Sequence, residues 1–345
     1  MTEYLFVYGT LLKGESQNSR LNGCILEEYL SIPGELYDTG YGFPAAYLNG
    51  DQESVIFGEL YRLPRESASF IELLDSYEDI PNGIFERNTI KVNTESCYIY
   101  SLKDPRIPGN FFKIKPGSWL RYCSYIKNDP VTFALNFENA HKRYYRYITE
   151  SSIITVPGTG GILVSAPHAT NHIRLKKYKI FERYTAAVAV LMHSVLDTSS
   201  VYTNSVSMTD PNYYDESEFK RSLAEIAGVK KLDFVLDIHG TGEEREEDIY
   251  PGVGDSGEFL LGKDQIIDFL YKSADEYGLK CGSLGKFPAA KQQTVTKYCA
   301  LNLGVPSMQL EINRKYRMPE KHPENFITLI NFLKNFLSKI KTRNE

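Results

Sequence analysis

The chain has 345 residues, a length that calls for about two domains rather than one core. Its net charge of −5 gives no basic surface, which argues against nucleic acid as a partner, and no apolar run reaches the roughly 18 residues that a membrane span needs. Five scattered cysteines (Cys24, Cys97, Cys123, Cys281 and Cys299), odd in number and without CxxC spacing, argue against a disulfide framework and suit a reduced, cytoplasmic setting.

The first residues carry no basic stretch and pass directly into a strand pattern, so no signal peptide is expected. Residues 4–8 are an apolar and aromatic run followed by Gly9 and Thr10, the pattern of a buried strand ending in a tight loop. Residues 33–37 and 55–61 read as further strands. Residues 67–77 read as a helix with Phe70, Leu73, Leu74 and Tyr77 at helical spacing, and 87–92 and 97–102 as two more strands. The region closes near Gly117-Ser118-Trp119. Short strands with one or two helices predict a small barrel-like α+β domain over residues 1–122.

Residues 123–150 are polar and aromatic without clear periodicity and read as a linker. The texture then changes. Residues 161–165, 233–237 and 306–310 are apolar strands, 181–196 is a helix rich in alanine and valine, and 325–340 is a closing amphipathic helix. Strands alternating with helices predict an α/β domain over residues 151–345, with a mixed, mostly parallel sheet. No internal repeat or low-complexity tract is present, and the 25 tyrosines have no single physical explanation. Nothing in the sequence reports the oligomeric state.

Two features of the first region carry chemistry. Gly9, in Tyr8-Gly9-Thr10-Leu11, permits a positive φ that would turn backbone N–H groups to one side as a carboxylate-binding nest, although a glycine after a strand is commonly just a turn. In Leu74-Asp75-Ser76-Tyr77-Glu78-Asp79, acidic residues crowd the end of a helix, where the macrodipole disfavours negative charge. An acid there tends towards a raised pKa and suits a proton shuttle; the plain alternative is a solvated helix end.

Together these residues resemble the γ-glutamylcyclotransferase-like, or AIG2-like, family. The resemblance also rests on Pro33-Gly34-Glu35-Leu36-Tyr37-Asp38, Phe43-Pro44-Ala45, Gly58-Glu59-Leu60-Tyr61, Arg87 and Gly117-Ser118-Trp119. It implies that Tyr8, Gly9, Thr10 and Leu11 bind a glutamyl α-carboxylate and that Glu78 is the catalytic acid. One departure is Phe85-Glu86-Arg87, where the family often has a tyrosine two residues before the arginine. Tyr100 is an alternative source of that hydroxyl, or a packing tyrosine. The implied reaction needs no cofactor: the substrate's own α-amine attacks its γ-carbonyl, closing a five-membered ring and releasing 5-oxoproline. Holding the chain bent contributes through an effective molarity of about 10⁵ M or more, and one carboxylate moving both protons adds on the order of 10²–10⁴-fold. The implied partner is a small γ-glutamyl amide; family members act on γ-glutamyl amino acids, isopeptides and protected intermediates of antibiotic assembly.

The second region offers a metal-ligand pattern. His168 and His239 each stand at a strand end, the edge where open α/β sheets bind ligands. A catalytic zinc needs a third protein ligand. Glu182 is the choice; Asn171 has the His-x-x-Glu spacing but is a poor ligand, and His172 stays open beside it. Glu311 is a candidate general base, or a partner of Arg314 or Arg317. Arg174 and Arg314 are candidates for a substrate carboxylate, and Asp237 for orienting an imidazole. Strand-end histidines are often structural, and residues 240–255 read as a mobile or merely solvated loop. Pro167-His168-Ala169-Thr170, Arg174, Lys179, Glu182-Arg183-Tyr184-Thr185, Asp237-Ile238-His239 and Gln309-Leu310-Glu311-Ile312-Asn313-Arg314 resemble the N-formylglutamate amidohydrolase family, similar in fold to zinc carboxypeptidases. The resemblance implies zinc at His168, Glu182 and His239, Glu311 as base, and hydrolysis of an amide. The expectation is a bifunctional enzyme. The alternatives are a single zinc enzyme whose first domain only binds substrate, and a small-molecule sensor without turnover.

Overall fold

In a computed structural model, which describes residues 3–50, 54–65, 67–104, 107, 111–114, 117–120, 122–123, 129–141 and 152–341, the first apolar run becomes β1 (Tyr4–Val7) at the centre of a five-stranded sheet. Its neighbours are β2 (Ile25–Pro33), β5 (Val55–Arg62), β6 (Phe85–Val92) and β7 (Glu95–Leu102), in the order β2-β5-β1-β7-β6. β1 runs antiparallel to β5 and parallel to β7. A smaller sheet joins β3 (Glu35–Asp38), β4 (Pro44–Tyr47) and β8 (Phe112–Lys113). The barrel-like arrangement expected from the sequence thus takes the form of two sheets, and Leu36 and Ile114 share a core with Leu5, Phe6, Ile56 and Ile99. The sequence reading passes over β2 because its side chains are mostly exposed, and a bulge between Leu26 and Glu28 interrupts the alternation. Helix α1 (Ser67–Tyr77) buries Ile71 and Leu74. Leu73, read as part of the apolar face, is 72% exposed.

The chain divides into two compact units, Met1–Tyr125 and Ile126–Glu345. Within the span read as a linker, α2 (Pro130–His141) forms. Phe133, Ala134 and Phe137 are buried, and Phe137 meets Tyr202 edge to face. Tertiary packing on Tyr202 supports a helix that has little periodic signal of its own.

The second unit is built on a six-stranded sheet of β9 (Ile153–Val156), β10 (Ile162–Ala166), β13 (Ser199–Thr203), β14 (Phe234–Thr241), β15 (Ile249–Gly252) and β16 (Ser307–Asn313). Its order is β15-β16-β14-β10-β13-β9. The β13-β10-β14-β16 block is parallel, and the two edge strands are antiparallel. A two-stranded hairpin, β11 (His172–Arg174) and β12 (Lys177–Lys179), stands apart from it. Helices cover both faces, as near-continuous apolar strands require. α4 (Glu218–Val229) and α6 (Val295–Leu301) pack Phe219, Leu223, Val295 and Cys299 on Leu163, Val201 and Val235. α3 (Thr185–Leu196) and α5 (Gln265–Glu276) each pack against α8 (Pro323–Lys341), and Phe336 of α8 meets Phe234 edge to face. A single turn, α7 (Arg314–Arg317), follows β16.

Three local expectations change. The helix read over 181–196 begins at Thr185, because Tyr184 takes the left-handed conformation, φ 68°. β14 and β16 run on past residues 237 and 310, so His239 and Glu311 lie inside paired strands, directly opposite each other. The segment read as a loop over 240–255 begins within β14 and contributes β15, which pairs antiparallel with β16 on its other edge. Among the described residues, no helix is long and apolar enough to cross a membrane, and the five cysteines are free thiols.

Candidate active sites

The first site grows from the end of β1. Tyr8 is buried; its hydroxyl donates to the Tyr100 carbonyl at 2.7 Å and accepts from the Ala46 N–H at 3.3 Å. That hydroxyl is therefore a brace. The expected reason for Gly9 is corrected: Gly9 does not have a positive φ. It is needed because a Cβ there would lie 2.6 Å from Pro44 Cγ, so the Pro44 ring and the turn can approach only across a glycine. The turn is held by its carbonyls, with Leu12 N–H donating to Gly9, Gln17 N–H to Thr10 and the Asn18 side chain to Leu11. The N–H groups of Gly9, Thr10 and Leu11 find no acceptor among the described residues. Glu59, buried between the Lys13 N–H and the Tyr61 hydroxyl, both at 2.9 Å, pins the far side of the turn.

Glu78 follows the last residue of α1, its N–H donating to Leu74 at 2.9 Å. Burial pushes its carboxyl up to about 7, while Arg20 acts in the opposite sense. The largest cause is desolvation, which acts in the same direction as the helix end at which Glu78 stands. Tyr8, Tyr77 and Tyr100 all feel the Glu78 charge, which raises their hydroxyls further after burial has done so. Tyr77 bonds to the Thr10 side chain and carries Arg20 over its ring at 4.0 Å. Glu78 and the residue 8–11 turn therefore belong to one neighbourhood. Tyr100 is a different matter: its hydroxyl donates to Asp75 at 2.8 Å, and Asp75 is also paired with Arg87. Its hydroxyl proton is thus engaged by Asp75, and the position of the missing tyrosine is taken by Phe85, a packing ring against Phe43. Arg20 and Glu59 escaped the sequence reading because their roles depend on contacts 58 and 46 residues away (to Glu78 and Lys13).

The second site forms where β10, β14 and β16 deliver their ends to one cavity of about 380 Å³. His168, Arg174, Glu182, Asn212, His239 and Glu311 line one part of it. His168 Nδ1 lies 3.1 Å from Glu182 Oε1, and His239 Nδ1 lies 3.0 Å from Glu182 Oε2. Candidate ligand atoms of these three residues fall within 4.8 Å of one another. On its far side, His168 Nε2 meets Asp210 Oδ1 at 3.0 Å, which favours the N–H at that nitrogen and leaves the Nδ1 lone pair facing Glu182. His239 Nε2 meets Asp237 Oδ2 at 3.2 Å and Asn212 Nδ2 at 2.7 Å. Two imidazoles and one carboxylate converging in this way fit the donor set of a catalytic zinc. Burial depresses both imidazoles, but the Glu182 charge together with Asp210 at His168 and Asp237 at His239 outweighs it, so both are raised, while the two imidazoles hold Glu182 well below the usual carboxylate range against its burial.

Glu311 stands beside this group, opposite His239, with burial raising its carboxyl to about 7 and Gln309 donating to it at 3.1 Å. Arg174 lines the cavity and is paired with Asp210 at 2.5 Å. Arg314 is not brought in: it is exposed on α7. The buried arginine of that turn is Arg317, whose guanidinium faces Gly240, where a Cβ would lie 2.1 Å from Nη2, and feels both Glu182 and Glu311. Asn171 bonds Tyr178 and the Phe181 N–H, a structural role. His172 stacks on His168 at 4.0 Å and reaches Asp210 at 3.3 Å. Asp210 thus gathers His168, His172 and Arg174, and no periodicity or motif marks it in the sequence. The wall 285–292, with Phe287, Pro288 and Lys291, is likewise silent in sequence.

Residues 5–121 match the family model described as γ-glutamyl cyclotransferase, AIG2-like. The γ-L-glutamyl-butirosin B γ-glutamyl cyclotransferase of Niallia circulans is 30% identical over 127 residues, 34% of this chain and 76% of that protein. Among solved structures, a gene product of Agrobacterium tumefaciens is similar at 15% identity and a TM-score of 0.43, covering 59% of this chain and 99% of that one. A bacteriophage poly-γ-glutamate hydrolase is similar at 13% identity and a TM-score of 0.39, covering 59% and 94%.

Proposed function

The chain belongs, through residues 5–121, to the AIG2-like γ-glutamyl cyclotransferase family, and from that premise we propose that its first unit releases 5-oxoproline from a γ-glutamyl amide, with Glu78 carrying the protons. The glutamyl α-carboxylate sits on the N–H groups of Gly9, Thr10 and Leu11. Glu78 takes a proton from the α-ammonium, and the freed amine attacks the γ-carbonyl. The new ring C–N bond forms, Glu78 gives its proton to the leaving nitrogen as the amide C–N bond breaks, and Glu78 then takes the second proton shed by the ring nitrogen and passes it to the released amine, which departs as its ammonium. The observation that carries this reading is a carboxyl raised to about 7 by burial, beside a turn in which the N–H groups of Gly9, Thr10 and Leu11 have no acceptor among the described residues. A carboxyl near neutrality accepts and donates with little bias at physiological pH. A protected amine of antibiotic assembly, of the kind named for the Niallia relative, is the substrate class we favour.

The second unit, in the same proposal, is a zinc-dependent amidohydrolase. His168, Glu182 and His239 hold the zinc, which supplies a Lewis acid and an acidified water when bound. Glu311 receives a proton from the attacking water and delivers it to the departing amine, and Arg174 holds a carboxylate of the substrate. The test is mass spectrometry of products from a panel of γ-glutamyl amines and N-acyl amino acids, with and without chelator. Release of 5-oxoproline should survive chelation and vanish in Glu78→Gln, whereas deacylation should require metal. Full 5-oxoproline release by Glu78→Gln removes Glu78 from the reaction.

A further inference from the structure

Arg183 follows Glu182, Gly240 follows His239 and Ile312 follows Glu311, and all three of these followers meet one guanidinium. It belongs to Arg317, which is 3% exposed. Its Nη1 donates to the Arg183 carbonyl, and its Nε donates to the Ile312 carbonyl at 3.2 Å. Its Nη2 lies so close to Gly240 that a Cβ there has no room. Gly240 and Ile312 are direct partners in the β14–β16 ladder, the pair next to His239 and Glu311. The Gly240 N–H in turn donates to Glu182 Oε2 at 2.9 Å. Unlike His239 and Glu311, Glu182 stands on no regular element; it lies between β12 and the left-handed Tyr184 that precedes α3. The turn α7 that carries Arg317 is anchored separately. Asn313 caps it by accepting from the Lys315 N–H at 3.0 Å, and donates to the Arg245 carbonyl at 3.1 Å.

We propose that Arg317 is a positioning residue of the second site, a clamp that holds the irregular Glu182 segment against the paired strands and so sets the spacing of Glu182 from His239 and Glu311. A guanidinium is a rigid planar fork, so its two directed bonds fix the two segments that accept them, whereas an ammonium on a flexible stem supplies the charge without the angles. Arg317 is not among the residues that line the cavity, so it acts through its neighbours and not on a substrate. The proposal rests on the reading of the second unit as a zinc amidohydrolase, and its test separates the two. Zinc affinity of the full chain is measured by competition with a chromogenic chelator for the wild type, Arg317→Met, Arg317→Lys, Gly240→Ala and the double variant Arg317→Met/Gly240→Ala. In parallel, kcat and KM are measured for an N-acyl amino acid, and urea unfolding reports whether each variant is folded. Arg317→Met and Gly240→Ala should each bind zinc about 10–100-fold more weakly and lose kcat with KM unchanged, because Arg174 is left in place. Arg317→Lys should not restore either quantity. The double variant should be no weaker than Arg317→Met, since the added Cβ has space once the guanidinium is gone. Gly240→Ala displaces the guanidinium without deleting a buried charge, and it decides the matter where Arg317→Met does not fold. Wild-type zinc affinity in folded Arg317→Met or in Gly240→Ala, or full recovery in Arg317→Lys, overturns the clamp. Weakened zinc binding in the variants, without turnover by any form, upholds the clamp and overturns the hydrolase reading. A wild type that takes up no zinc overturns both.

Discussion

At the scale of single residues, the reaction proposed for the first unit turns on one carboxyl, Glu78, whose pKa burial raises towards neutrality. With its folded pKa raised from 4.5 to about 7, Glu78 favours folding most below its unfolded pKa, and that contribution is lost as pH rises through about 7. Two outcomes follow. The acidic limb of kcat/KM for 5-oxoproline release should have its midpoint near pH 7, since the base form must be present to take the ammonium proton. Chemical denaturation between pH 4.5 and 8 should show the wild type losing stability relative to Glu78→Gln; a pH-independent difference would mean that Glu78 is not desolvated. Arg20 opposes the burial effect, so Arg20→Gln should move the kinetic limb to higher pH while leaving the 5-oxoproline product unchanged.

At the scale of elements, each site depends on close approach between segments distant in sequence. The Gly9 turn and Pro44 pack so tightly that Gly9→Ala needs one of them to move. A loss of about 1–3 kcal/mol in urea-induced unfolding is expected, with a raised KM for the γ-glutamyl amide because the turn is displaced. In the second unit, Asp210 joins the end of β10 to the β11–β12 hairpin through His168, His172 and Arg174. Asp210→Asn keeps the volume but no longer selects the Nε2–H form of His168. Zinc affinity, measured by competition with a chromogenic chelator, should fall about 10–100-fold, with 5-oxoproline release unaffected.

At the scale of the whole molecule, the proposed function puts two different solutions to amide cleavage in one chain. The first would use a nucleophile already present in the substrate and a single proton carrier. The second would use the two imidazoles and the carboxylate that converge at His168, Glu182 and His239 to hold a cation. Dialysis of the full chain against chelator should abolish amidohydrolase turnover and leave 5-oxoproline release within about twofold, because the first reaction needs proximity and proton transfer alone. His168→Ala and His239→Ala should reproduce the effect of chelation, with zinc content read by mass spectrometry. Loss of 5-oxoproline release in these variants would instead make the second unit part of the first reaction.

Local pattern was sufficient wherever neighbours in sequence decide the outcome. The apolar run before Gly9, the spacing of Leu74 and Glu78, and the strands that carry His168 and Asp237 were legible because burial imposes a period on adjacent residues. The residue types that gather at both sites were legible too, since the proton transfer and metal binding proposed for them would draw on few side chains. Tertiary structure alone decided why Gly9 is glycine, that Arg317 and not Arg314 is buried beside Glu182, that Asp210 meets His168 Nε2, and that residues 130–141 form a helix. Each of these depends on which distant atoms fill the space around a residue, and packing and desolvation leave no periodic trace in the chain that makes them.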